Sequence, residues 1–281
     1  MAPPFFSDIS KNINGLLNSD FFHGTPAAID VKTTAPNGVA FTVKGKTSPK
    51  DGSLAANVEA RVSDKATGLT LTQGWSSANL LDTKIELADI TPGLKAALVS
   101  STVPGSSNAA KLNLTFLQPG FSARGFFDLL KGPSFVGDLT LAHEGFVGGA
   151  EVGYDIADAT VSRYAVALGY SAGLYSVALS VNNAQMTTAS FFQTVSPVLE
   201  VGAKAALNPA TGSKVNIEFA TRYALDPFSQ VKAKIADSGI VALAYKQQLR
   251  PGVNLGVGAS FDALKLAEPV HKLGWSLSFS A

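Results

Sequence analysis

Alternation with a period of two constrains this chain more than any other feature. In "LDTKIEL", Leu81, Thr83, Ile85 and Leu87 share one side, while Asp82, Lys84 and Glu86 share the other. "NVEARVS" sets Val58, Ala60 and Val62 against Asn57, Glu59, Arg61 and Ser63, and "KLNLTF" sets Leu112, Leu114 and Phe116 against Lys111, Asn113 and Thr115. "IDVKT" and "KVNIEFATRY" repeat the pattern. The closing "HKLGWSLSFSA" puts Leu273, Trp275, Leu277 and Phe279 opposite Lys272, Gly274, Ser276 and Ser278. Successive side chains of a strand point to opposite faces, so each run is an extended segment with one apolar and one polar face. Turn signals such as "PNG", "PKDG", "SDKATG", "TPG", "VPGSSN", "QPG", "KGP", "NPATG" and "RPG" recur every roughly 10 to 15 residues, the repeat of antiparallel hairpins. No compositional boundary or low-complexity tract divides the chain, which reads as one domain.

One segment has a different period. In "FFSDISKNINGLLNSDFF", Ile9, Ile13, Leu16 and Leu17 fall on one stripe of a helix, opposite Lys11, Asn12, Asn14 and Asn18. Ser7 is the expected N-cap. Gly15 weakens this helix by about 1 kcal/mol relative to alanine, so it needs tertiary support. "HGTP", with Gly24 and Pro26, reads as a hinge into the first strand.

Composition narrows the function. Charged residues make up 15% of the 281 residues, low for a soluble domain, yet no window approaches the ~18 consecutive apolar residues of a membrane helix. The N-terminus lacks the pattern of a secretory signal or an Arg-rich transit peptide. A net charge of +1 argues against nucleic acid as a functional ligand. The absence of cysteine excludes disulfides and thiolate metal sites. His143–Glu144 has no second histidine at zincin spacing, His23 and His271 are far apart in sequence, and no catalytic triad is legible, so neither an enzyme nor a metal or other cofactor is expected. "GVNLGVG" imitates a phosphate loop but lacks the following helix and lysine; it reads as a strand with glycines on its polar face.

Two architectures remain open on these grounds: a soluble all-β protein, such as a lipid binder, and a membrane β-barrel whose hydrophobicity is hidden because every second residue faces lipid. Continuous strands after Pro26 and ions of both signs on the polar parity favour the barrel. So do aromatics on the apolar parity near strand ends, such as Trp75, Phe116, Phe219, Tyr245 and Trp275.

The blocks "PPFFSDISKNINGLL", "TGLTLTQGW", "TPGLK", "LAHEGFVGGAEVGYD", "VNIEFATRY", "DSGIVALAYKQQLRPGVNLGVGASFDALKL" and "HKLGWSLSF" resemble the mitochondrial porin family, the voltage-dependent anion channels, and its fungal members in particular. The resemblance runs end to end. It implies an all-β transmembrane antiparallel barrel of about nineteen strands, a count that belongs to the family's known channel and is not read from the periodicity. The first and last strands, near Ala27–Thr34 and Val270–Ser280, then pair in parallel. The division is 1–281 as a single porin domain, with 1–25 as helical segment and hinge inside the pore and 26–281 as barrel. The implied function is a voltage-dependent, weakly anion-selective channel of the mitochondrial outer membrane, passing ATP, ADP, phosphate and small ions.

Parity then places roughly sixteen basic and about eleven acidic side chains in the lumen. Lys11, Lys32, Arg61, Lys84, Lys95, Arg124, Lys204, Lys232 and Lys234 are the candidate selectivity residues, with Lys11 and Lys95 as weak nucleotide contacts. Ile9, Ile13, Leu16 and Leu17 are expected to rest on the wall, and Gly24 to hinge. Lys272, Gly274, Trp275, Leu277 and Phe279 resemble the sorting signal of mitochondrial barrels. Expected partners are membrane lipids, transported nucleotides and small anions, barrel-assembly machinery, and further copies of the chain or other outer-membrane proteins. Gln73 occupies a lipid-facing position where several animal members of the family carry a glutamate. A protein-import barrel of the same membrane is the rival within the fold; it is expected to carry a long N-terminal extension and a more apolar lumen track.

Overall fold

The computed structural model describes every residue except 1, 50, 65, 106, 131–133, 210–213, 268–270 and 281. Among the described residues the chain forms nineteen strands in one sheet. They are β1 (Ala27–Thr34), β2 (Ala40–Thr47), β3 (Leu54–Asp64), β4 (Leu69–Ser76), β5 (Leu81–Thr91), β6 (Leu94–Val103) and β7 (Ser107–Gln118). Then come β8 (Phe121–Asp128), β9 (Ser134–His143), β10 (Phe146–Asp155), β11 (Thr160–Ser171), β12 (Tyr175–Asn182) and β13 (Thr187–Ser196). The series ends with β14 (Leu199–Asn208), β15 (Lys214–Asp226), β16 (Ser229–Ala236), β17 (Ile240–Arg250), β18 (Val253–Asp262) and β19 (Lys272–Ser280). Each strand pairs antiparallel with the next, and β1 pairs parallel with β19 from Ala27 opposite Trp275 to Lys32 opposite Ser280. Closure removes the two edges that an open sheet would expose. The expected seam is present, although Val270 lies outside the described residues.

Local sequence explains the hairpins. At Gly93, Gly105, Gly120 and Gly252, each preceded by proline, φ is 87°, 80°, 95° and 81°. Proline pre-sets the first central residue of a type II turn and glycine takes the positive φ of the second. The turn readings that include Lys50, Lys65, Ser106, Lys131–Pro133 and Ala210–Ser213 lie partly outside the described residues.

Burial decides between the two open architectures. A soluble β fold packs its apolar parity inside. Here that parity is the exposed one: Leu273 is 71% exposed, Trp75 62% and Phe219 58%. The buried apolar side chains among the described residues are Ile13, Leu16, Leu17 and several alanines. A continuous apolar outer face of this extent is tolerable in hydrocarbon and not in water, which removes the soluble reading. Among the described residues no helix is long and apolar enough to cross a membrane. The strands, of 8 to 13 residues, suit a tilted membrane crossing.

Two expectations are corrected. Phe219, Tyr245 and Trp275 sit mid-strand and not in an end girdle, because the whole outer parity accepts rings. The helix also starts later than its stripe suggests. A 3-10 turn spans Phe6–Asp8, and the α-helix, α1, runs over Lys11–Asn18 after Ser10, with no side-chain cap. Ser7 is therefore not the N-cap; its hydroxyl meets Arg124 instead. Ile9 lies between the two helical pieces and presses on the wall from there.

Candidate functional site

The site is the lumen and the segment docked in it. Residues 2–25 lie across the inner faces of β8 to β19, and each station has its own chemistry.

At the leading end, Ser122 Oγ donates to the Pro4 carbonyl (3.2 Å). The Arg124 guanidinium stacks 4.3 Å above the Phe5 ring and donates to Ser7 Oγ (3.1 Å). Through Nε and Nη2 it also holds Asp138 Oδ2 at 2.9 and 2.7 Å. The Asp138 side chain is fully buried, so this charge-assisted pair is what makes its burial tolerable. Phe6 and Ile9 occupy the space a side chain at Gly149 would take, and Ile9 also covers Gly169.

Along α1, Ile13, Leu16 and Leu17 are 3%, 4% and 1% exposed and pack with Ala220 and Phe192. The registers put Phe192, Gly202 and Ala220 side by side on the inner face, and Gly202 leaves the gap that Ile13 and Leu16 fill. Lys204 Nζ donates to Asn14 Oδ1 (3.3 Å).

The C-terminal end of α1 carries the negative end of the helix dipole. Lys232 answers it, donating to Ser19 O (2.7 Å) and to Gly15 O (3.2 Å), which also accepts the Ser19 N–H, while only 3% exposed. Lys246 Nζ holds Asp20 Oδ1 at 2.9 Å. A second 3-10 turn, Phe22–Gly24, lies against Gly256, Gly258 and Gly274, all three on the inner face. The glycines of "GVNLGVG" thus face the pore as expected, and the segment around Gly24 is seated on the wall. Burial first, then Lys272 and Lys234, hold His23 below the usual imidazole range.

The registers set the polar parity inside throughout: Asp30 opposite Lys44, Arg61 opposite Thr72, Lys84 opposite Thr72 and Val99, Lys95 opposite Thr115. Pairing differs around the ring. Lys234 meets Glu218 at 2.9 Å, Arg222 meets Glu200 at 3.1 Å and Arg163 meets Glu151 at 3.1 Å. Lys84 binds Glu86 at 2.8 Å, and Lys11, 73% exposed, is 4.0 Å from Asp8. By contrast Lys32, Lys44, Lys46, Arg61 and Lys95 carry no ion pair among the described residues. Arg124, Lys204, Lys232 and Lys234, read from sequence as selectivity residues, are engaged with the docked segment or with wall acids. Sequence reading missed Asp20, Asp138 and Lys246 as docking residues; the signal available was glycine on the polar parity, which marks where the segment lies.

On the last strand, Trp275, Leu277 and Phe279 face outward, while Lys272 and Gly274 face inward. Gly274 has a packing reason of its own, since the Phe22 and Thr25 carbonyls fill the place of its missing side chain. Gln73 is exposed on the outer face between Ala60 and Thr83.

A family model described as eukaryotic porin matches residues 2–274. The chain is 64% identical to non-selective voltage-gated ion channel 1 of Saccharomyces cerevisiae and 58% identical to the mitochondrial outer membrane protein porin of Candida albicans, each over the full length of both chains. Among solved structures, a mutant of the Rh. blastica porin aligns with a TM-score of 0.54 at 12% identity, covering 85% of this chain and 98% of that one; the likeness is one of fold.

Proposed function

From the premise that this chain belongs to the eukaryotic porin family, we propose that it is a voltage-gated channel of the mitochondrial outer membrane with a weak preference for anions. The carrying observation is the sidedness of the closed wall: large apolar side chains face out along the strands, and the ionic side chains of the strand interiors face in. Unpaired cations on β1, β2, β3 and β6 supply the preference. In a wide pore, salt screens charge over about 8 Å at physiological ionic strength, so such an excess biases permeation and does not exclude cations. ATP, ADP and phosphate fit this lining because they pass many weak sites without lodging at one. Lys11 and Lys95, one on the helix and one on the wall, are the proposed nucleotide contacts. A channel family is not an enzyme class.

Lipids are the outer partner. The outward Trp275, Leu277 and Phe279 with the inward Lys272 and Gly274 are proposed as the signal read by assembly machinery, and copies of the chain or other outer-membrane proteins as lateral partners. Reconstitution into a planar bilayer tests the reading. Large conductance steps that close at both polarities are expected, with Arg61→Glu or Lys95→Glu lowering the anion preference in a salt gradient. A barrel that conducts without closing, or a reversal potential unmoved by both substitutions, contradicts it.

A further inference from the structure

We propose that Asp138 positions Lys11 in the bore, acting through Arg124, and so shapes the ion preference of the channel without touching an ion itself. The inference rests on reading Lys11 as a selectivity residue and names the side chain that fixes its place. On the inner face Asp138 stands between Arg124 of β8 and Glu151 of β10, and Glu151 has its own partner in Arg163 at 3.1 Å. The Asp138 side chain is 0% exposed, so no solute reaches it. Its Oδ2 accepts from both Nε and Nη2 of Arg124, while Oδ1 is buried without a hydrogen-bond partner among the described residues.

Stability alone is a poor reason for this arrangement. A buried acceptor without a partner is costly, and apolar residues of similar size in place of a buried ion pair are often neutral or stabilising. What the pair supplies is orientation. With Oδ2 holding one edge, the guanidinium lies over the rings of Phe5 (4.3 Å) and Phe126 (5.5 Å), and Nη2 reaches Ser7 Oγ at 3.1 Å. A lysine ammonium is a point charge with neither plane nor fork and cannot serve all of these partners at once. The 3-10 turn Phe6–Asp8 is thereby pinned to the wall.

The helix α1 follows that turn and has no side-chain cap at Ser10, so the place where it begins depends on what precedes it. Lys11 is its first residue. Side chains step by about 100° per residue along a helix, which puts Lys11 roughly 200° from the wall-facing Ile13 and aims it into the bore. There its side chain is 73% exposed, with Asp8 at 4.0 Å. Salt screens charge over about 8 Å, so a shift of the turn by a few ångström changes what a passing ion feels.

The test measures reversal potentials of the full-length protein in a planar bilayer under a salt gradient, with Lys11 present and with Lys11→Gln. Arg124→Lys keeps the charge beside Asp138 and loses only the plane. It is expected to move the reversal potential toward zero when Lys11 is present and to leave it unmoved in the Lys11→Gln background. Asp138→Asn is expected to shift the potential in the presence of Lys11 and to lose most of that shift in its absence, since coupled residues are not additive. A spin-label distance between Asn12→Cys on the helix and Thr72→Cys on the inner face of β4 follows the position directly, and Arg124→Lys is expected to broaden it. A distance left sharp by Arg124→Lys overturns the positioning, as does a reversal potential that it leaves unmoved. Equal shifts with and without Lys11 assign the effect to the charge of the pair itself and overturn it too. A Lys11→Gln channel with the wild-type reversal potential also removes the proposal, while closure at both polarities in the same recordings leaves the channel reading intact.

Discussion

The wall from β8 to β19 and the wall from β2 to β7 share strand geometry and outer surface but differ on the inside. The first carries residues 2–25 along its length. Gly149, Gly169, Gly202, Gly256, Gly258 and Gly274 make room for that segment, and Arg124, Lys204, Lys232 and Lys246 bond to it. Among the described residues no hydrogen bond or ion pair joins residues 2–25 to the second wall, which has Gly74 as its one inward-facing glycine. There Lys44, Lys46, Arg61 and Lys95 stand without ion pairs among the described residues. The first arc engages its cations with the docked segment or with wall acids, while the second keeps Lys44, Lys46, Arg61 and Lys95 open to solutes. A lumen charge therefore has different consequences for permeation and for rigidity on the two arcs.

The largest expected effect comes from cutting the docked arc at its most buried charge. Arg124→Ala leaves the enclosed Asp138 carboxyl without its partner, and the loss of stability is expected to be about 3–5 kcal/mol. Arg61→Ala, on the bare arc, is expected to change stability by less than about 0.5 kcal/mol. Denaturant unfolding of both variants in the same detergent checks the contrast, and equal losses would dissolve it. A smaller effect is expected at Gly202, where a leucine side chain must displace Ile13 and Leu16. Gly202→Leu should cost about 1–3 kcal/mol and free the helix, raising protease cleavage after Lys11. Unchanged cleavage would mean that the gap left by Gly202 does not seat the helix.

Much of this contrast has a visible root in the sequence and part does not. Strict alternation in "NVEARVS" and "HKLGWSLSF" places Arg61 inside and Trp275 outside without any knowledge of partners, because parity is local. The bond of Lys232 to Gly15 O and Ser19 O joins residues more than two hundred positions apart. It depends on register, closure and the path of the segment together, none of which local pattern carries. The late start of α1 is similar: Ile9 fits the helical stripe, yet Gly149 and Gly169 offer it a better seat on the wall. Closure at nineteen strands came from family resemblance, since hairpin spacing alone allows neighbouring counts.

If the docked arc is fixed and the bare arc is free, voltage must act on the bare one. Moving one charge through the whole potential is worth ~2.3 kcal/mol per 100 mV, so a few of the unpaired cations on β2, β3 and β6 suffice for closure. A disulfide between Ile13→Cys and Gly202→Cys tests this directly, because the chain has no native cysteine to interfere. In a planar bilayer, closure at both polarities is expected to persist with the bond formed and to be the same after reduction. A channel locked open until the bond is reduced would contradict the division of the wall into a fixed and a moving arc.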